Sequence, residues 1–272
     1  MTPFQLRVRA SKNIESAIGL LKAGDPDNAC HLAGQAVELA LKARYCTRRG
    51  IADFPDNLPA IRAANLQEAA IHNLDTLLTL AKGIEIPKYA GIDWMRVCEW
   101  EVVQRYDPVG TITNEQAASR VEESSAVVDY LSLHELLERL SKVRAELHTE
   151  LNTVFYFFAI DINSSDELSL VIGGSAIWRM GQDAFSERLK NCVAAHADGD
   201  LLAMIDKYRL ISPFNGLFKA YATVQQTYGG FVLVTDHLVL DAKIDTAYFV
   251  PAAGFNVGEF NSPSQMHGNV YL

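Results

Sequence analysis

At 272 residues, 49% of them apolar and 21% charged, the chain has the composition of a globular protein long enough for two ordinary domains, which excludes intrinsic disorder. The net charge of −9 lacks the basic excess that a bulk electrostatic grip on nucleic acid requires. No uninterrupted apolar run approaches the ~20 residues of a membrane helix, and the longest, Val154 to Ile160, is strand-sized.

The N-terminus carries early charges and no apolar h-region, so no signal peptide is expected. Residues 4–23 place Phe4, Leu6, Val8, Ile14, Ala17, Ile18 and Leu21 at helical spacing, with Gly24 as a stop. Asp25-Pro26-Asp27 signals the start of a second helix over about 26–47, apolar on most sides as a central bundle helix is. After a turn-rich stretch with Gly50, Pro55 and Pro59, the pattern predicts a third helix over 66–82 and a fourth over 89–104. A long one, capped at Thr113 or Asn114, either runs to about 149 or breaks near Ser132.

The period changes near residue 152. Thr153–Ile162 reads as a strand, Asn163–Asp166 as a turn and Leu168–Ile172 as the hairpin partner. Helices are expected over 184–195, 200–210 and 214–227, and strands at Phe231–Val234, Leu238–Leu240 and Thr246–Val250, with Asp236-His237 as a hairpin turn. From Pro251 on, the Gly, Asn, Ser and Pro content suits coil. The expected architecture is an antiparallel helical bundle over 1–149, followed by a smaller mixed α+β domain over 150–272. Charge divides unevenly between them, with 17 Lys+Arg against 20 Asp+Glu in the first and 7 against 13 in the second.

Four cysteines (Cys30, Cys46, Cys98, Cys192) stand far apart, which fits reduced thiols in a cytoplasmic protein and excludes a cysteine-based zinc module. No histidine pair falls at metal-ligand spacing with a carboxylate partner, so neither a metal nor a cofactor is expected.

The most informative row lies on the second helix. His31, Gln35, Glu38 and Lys42 are four, three and four apart and share one face of an otherwise apolar helix. Such a stripe is either an exposed strip with an ordinary Glu38–Lys42 pair or a functional face. The segments Asn28–Ala43, Ile71-His72-Asn73-Leu74-Asp75-Thr76-Leu77-Leu78 and Arg105-Tyr106-Asp107-Pro108 resemble, in order and spacing, those of the HEPN family (higher eukaryotes and prokaryotes nucleotide-binding), over about residues 5–132. The resemblance implies a four- or five-helix bundle, frequent homodimers, and binding of a nucleotide, RNA or protein partner in bacterial stress, toxin–antitoxin or phage-defence settings. It makes Glu38, Lys42, Arg105 and Tyr106 the ligand-binding candidates. It does not extend to 150–272.

Ribonucleolytic members of that family carry an arginine followed, after four to six residues, by a histidine, and here the chain departs. Arg105 has no such histidine, Arg144–His148 has three intervening residues and Arg188–His196 has seven. The reading is therefore a non-nucleolytic binding protein, with a ribonuclease of non-standard site as the rival. His72 reads as a helix-start residue that bonds backbone, and Trp94 and Trp100 as core or dimer contacts. In the second half, Ile172–Ala176 resembles the Gly-Gly/Ser element of nucleotidyltransferases, whose chemistry also needs an Asp-x-Asp pair for Mg²⁺. Asp198-Gly199-Asp200 is such a pair, more than twenty residues on, and a plain strand–turn–helix junction is the other reading.

Overall fold

A computed structural model describes residues 1–55, 57–81, 92–106, 108, 110–151, 155–162, 168–211, 222, 232–239 and 242–250. The chain divides into two compact units, Met1–Leu133 and His134–Leu272.

The first unit is helical because its caps leave little choice. In α1 (Pro3–Lys22), Thr2 and Gln5 form a reciprocal capping box: the Gln5 amide donates to Thr2 Oγ1 at 3.1 Å, and the Thr2 amide to Gln5 Oε1 at 2.9 Å. A turn at Gly24 (φ 79°) leads into α2 (Pro26–Arg49), which has proline in its first turn and ends at Gly50 with φ 67°. The two helices pack along each other, and α2 is the centre of the unit. Val37, Leu41, Ala43 and Cys46 of α2 are fully buried, and residues from all sides close on them. The Asp27 carboxylate accepts from the amides of Gly110 (2.6 Å) and Ile112 (3.0 Å), so one side chain at the start of α2 fixes a loop more than eighty residues away.

The two helices predicted next are shorter than their sequence pattern suggests. The predicted 66–82 helix is a 3₁₀ turn (Gln67–Ala69) followed by α4 (Leu74–Ala81), with α3 (Leu58–Ala63) before it. The break has a cause: Asn73 Oδ1 accepts from the Thr76 amide at 2.9 Å and starts α4 afresh. The predicted 89–104 helix is α5 (Trp94–Cys98) and a 3₁₀ turn (Val102–Tyr106), and 89–91 lie outside the described residues. Between these pieces the chain turns and Trp100 enters the core, 6% exposed. Trp94 instead donates its indole N–H to Asp75 at 2.7 Å, tying α5 to α4. The long helix α6 (Asn114–Leu151) begins in the first unit and ends in the second.

The second unit holds a five-stranded mixed sheet of order β3-β2-β1-β5-β4, formed by β1 (Phe155–Ile162), β2 (Leu168–Gly174), β3 (Lys207–Leu210), β4 (Val232–Val239) and β5 (Ala242–Phe249). All neighbours are antiparallel except β2 and β3. That parallel step needs a crossover, supplied by α7 (Ser175–Met180), α8 (Gln182–His196) and α9 (Gly199–Ala203). Leu170, Val171 and Ile172 are consecutive and fully buried, as expected of an inner strand covered on both faces.

Helix then α+β is thus the fold class. Among the described residues no strand precedes Phe155. Two local expectations are corrected. The predicted 200–210 helix stops at Ala203, and 207–210 pair with 169–172 as β3, because a partner strand overrides local periodicity. Asp236-His237 is no turn: it lies inside β4, where Thr235 faces Thr246 and His237 faces Ile244 of β5. The expected turn at 163–166, the 214–227 helix apart from residue 222, and the coil from Pro251 lie outside the described residues.

Candidate functional site

The stripe on α2 is a seam rather than a solvent strip. The His31 ring lies beside Trp100, centroids 5.9 Å apart. Gln35 Oε1 accepts from Asn13 of α1 at 3.0 Å. Glu38 and Lys42 are both buried, with the Lys42 ammonium donating to Glu38 Oε1 at 2.5 Å and lying 5.5 Å over the Phe54 ring. The other oxygen of Glu38 meets Nδ1 of His72 at 2.9 Å. An exposed Glu38–Lys42 pair, one of the two sequence readings, is therefore replaced by a buried one, because α4, the 3₁₀ turn 102–106 and residues around Phe54 close over α2.

His72 is the residue whose partner the sequence reading misses. It does not cap α4, a task that Asn73 performs; its ring is held by a buried carboxylate while the side chain stays about half exposed, at 51%. A carboxylate that fixes one imidazole nitrogen leaves the other to address whatever approaches, which is the arrangement of an oriented acid–base histidine. The signal in the sequence was its place in the second resembling segment; the 34 residues between it and Glu38 hid the contact.

Gly34 makes this packing possible. A Cβ placed there would lie 2.1 Å from Cγ of Trp100, so the indole rests directly on the α2 backbone. Six residues further on, Tyr106 ends the 3₁₀ turn at 74% exposure. That turn packs on α2; the Arg105 side chain lies outside the described part.

Residues 5–55 match the family model of the HEPN domain. The HEPN match spans α1 and α2 and reaches Phe54, so it contains Gly34, Glu38 and Lys42 and stops short of His72, Arg105 and Tyr106. No curated protein and no solved structure was found to match the chain.

Two arginines of the second unit are committed elsewhere. Buried Arg144 donates to the Val250 carbonyl, and burial pulls its guanidinium down to about 10. Arg188 pairs with Glu150. Gly174 closes β2 and Ser175 opens α7 directly, while Asp198 stands just before the five-residue α9. All four cysteines are free thiols. Burial pushes Cys46 up to about 11; burial, with the Glu146 charge adding, pushes Cys192 up to about 12, so neither supplies a thiolate nucleophile at neutral pH.

Proposed function

We propose that this is a HEPN-like binding protein whose helical unit takes a nucleotide or RNA ligand and does not cleave it efficiently. The observation behind this reading is the buried Glu38–Lys42 pair. The cation that the HEPN-matched segment carries on its polar stripe is neutralised inside the unit and is not available to a phosphate in a transition state. In this reading Glu38 and Lys42 serve from beneath, as the pair that positions His72. Arg105 and Tyr106 are the contact residues: an arginine beside an exposed tyrosine suits a phosphate and a stacked base. The four free thiols suit the reducing cytoplasm, and a stress or defence role follows from the HEPN resemblance alone.

A ribonuclease is the second reading, favoured by one observation, the half-exposed His72 held by Glu38. General acid–base help of this kind is worth ~10²–10⁴ in rate. The experiment is incubation of the full chain with labelled single-stranded RNA and tRNA, alongside retention assays with the same RNAs and with nucleotides. We expect binding that Arg105→Ala or Tyr106→Ala weakens about tenfold or more, at ~1.4 kcal/mol per decade, and no efficient cleavage. Robust cleavage lost in His72→Ala would replace the first reading by the second.

The same unit is proposed to form a homodimer. Met95, Val103 and Tyr106 lie exposed on α5 and the 3₁₀ turn, at 70, 54 and 74%. Sedimentation at micromolar concentration should give about twice the 30.0 kDa chain mass. A single 30.0 kDa species would reject the dimer. Among the described residues no helix is long and apolar enough to cross a membrane.

A further inference from the structure

The second unit brings together three side chains that no part of the HEPN reading uses. Cys192 and His196 are one turn apart on α8 and so share a face. Glu146 reaches them from the part of α6 that belongs to the same unit. The Cys192 sulfur, an imidazole nitrogen of His196 and a carboxylate oxygen of Glu146 all lie within 4.8 Å of one another, and His196 Nε2 is 2.5 Å from Glu146 Oε2. We propose that Glu146, Cys192 and His196 form a binding site for Zn²⁺ or a closely similar divalent cation.

Three properties of the cluster support this. The donor set is that of a borderline cation: one sulfur, one imidazole and one carboxylate, each a zinc ligand at about 2.0–2.3 Å. Donors at those bond lengths around one ion stand a few ångströms apart, so small rotations of His196 and Glu146 suffice. The His196–Glu146 hydrogen bond joins two of the residues, and the Cys192 thiol, set in the buried face of α8 with the Val143 carbonyl 4.0 Å away, lies beside both.

Access and charge also fit. Cys192 is 4% exposed and forms the floor, while the side chains of His196 and Glu146, 27% and 44% exposed, form a rim open to an entering ion. A thiolate and a carboxylate neutralise a dication, so the loaded site carries no net charge. Binding requires the buried thiol to release its proton to solvent, as a coordinating thiol does. The nearby cation, Arg188, does not oppose this, since its guanidinium is paired with Glu150. Three protein ligands leave a fourth position for water or an anionic ligand.

The test uses the full, tag-free chain, stripped with a chelator and titrated with Co²⁺ and then Zn²⁺. One equivalent of Co²⁺ should bind with a thiolate-to-cobalt charge-transfer band and visible d–d bands of four-coordinate intensity, and Zn²⁺ should displace it. Cys192→Ser and His196→Gln should each weaken Zn²⁺ binding by about 100-fold or more, since loss of a ligand costs at least as much as loss of its supporting residues. Circular dichroism identifies any variant that does not fold; His196→Gln, at the rim, carries the test if the buried Cys192→Ser fails. No binding at micromolar protein, cobalt bound without a thiolate band, or a band that survives in folded Cys192→Ser would overturn the site.

Discussion

Replacing Gly34 by alanine should lower the unfolding midpoint of the helical unit by roughly 10 °C, equivalent to about 2–3 kcal/mol. By helix propensity alone the change would stabilise α2 by about 1 kcal/mol. Packing decides against it. The new Cβ would stand 2.1, 2.2 and 2.5 Å from Cγ, Cδ1 and Cδ2 of Trp100, all of them ring atoms rather than the tip of a flexible chain. Trp100 is buried in the core formed by α2, α4 and α6 and cannot swing away, so the helix backbone or the whole 94–106 segment must shift. Thermal and urea denaturation measure the effect. The double variant Gly34→Ala with Trp100→Leu isolates the contact: it should be less destabilised than the two singles together by about 2 kcal/mol, the signature of residues that share one space. A Gly34→Ala protein as stable as the parent would mean that the indole does not rest on the helix.

The second large effect concerns Glu38. Removing one partner of a buried ion pair strands the other, at a cost of about 3–5 kcal/mol, whereas replacing both by apolar residues of similar volume is often neutral. Glu38→Gln should therefore destabilise strongly, since the Lys42 ammonium, 9% exposed, keeps only the Phe54 ring and an amide oxygen. Glu38→Met with Lys42→Met should recover most of the loss. His72→Ala, at a half-exposed position, should cost no more than about 1 kcal/mol. Denaturant midpoints for the three variants give the ordering. Equal, small losses in all three would show that the pair is solvated and that His72 is not held from below.

Where local chemistry decides structure, the sequence was easy to read. Pro26 and Gly50 bracket α2, and Thr153–Ile162 announces a strand through its β-branched and aromatic residues. Two of the misreadings fall where a distant partner decides. Nothing within 207–210 says strand until β2 lies alongside, and Asp236-His237 looks like a turn until β5 pairs across it. The site divides in the same way. The i, i+3 and i+4 spacing puts Glu38 and Lys42 on one face, but their burial depends on α4 and the 102–106 turn closing over them. Gly34 is the case where a local oddity, a glycine in the middle of a strongly apolar helix, did carry long-range information: it marks a close approach, though not by which residue. The Glu146–Cys192–His196 grouping hid for a different reason, because only two of its members share a helix and the third is 46 residues from Cys192.

The composition of the first unit's core has a consequence for how the protein is made. Val121 packs with Ala17, Ala29 and Ala33, and Val127, Val128 and Leu131 join the cluster around Val37 and Leu41. Part of the cover of α2 is thus drawn from the far end of the unit. A ribosome adding about 5–20 residues per second needs roughly 4–16 s to travel from the end of α2 at Arg49 to Leu131. During that interval the α1–α2 hairpin can form, but the buried face of α2 lacks part of its cover. The nascent protein therefore spends seconds as a sticky intermediate, a natural client for a holding chaperone. Substitutions early in α6 should reduce yield in the cell more than they reduce the stability of the finished molecule.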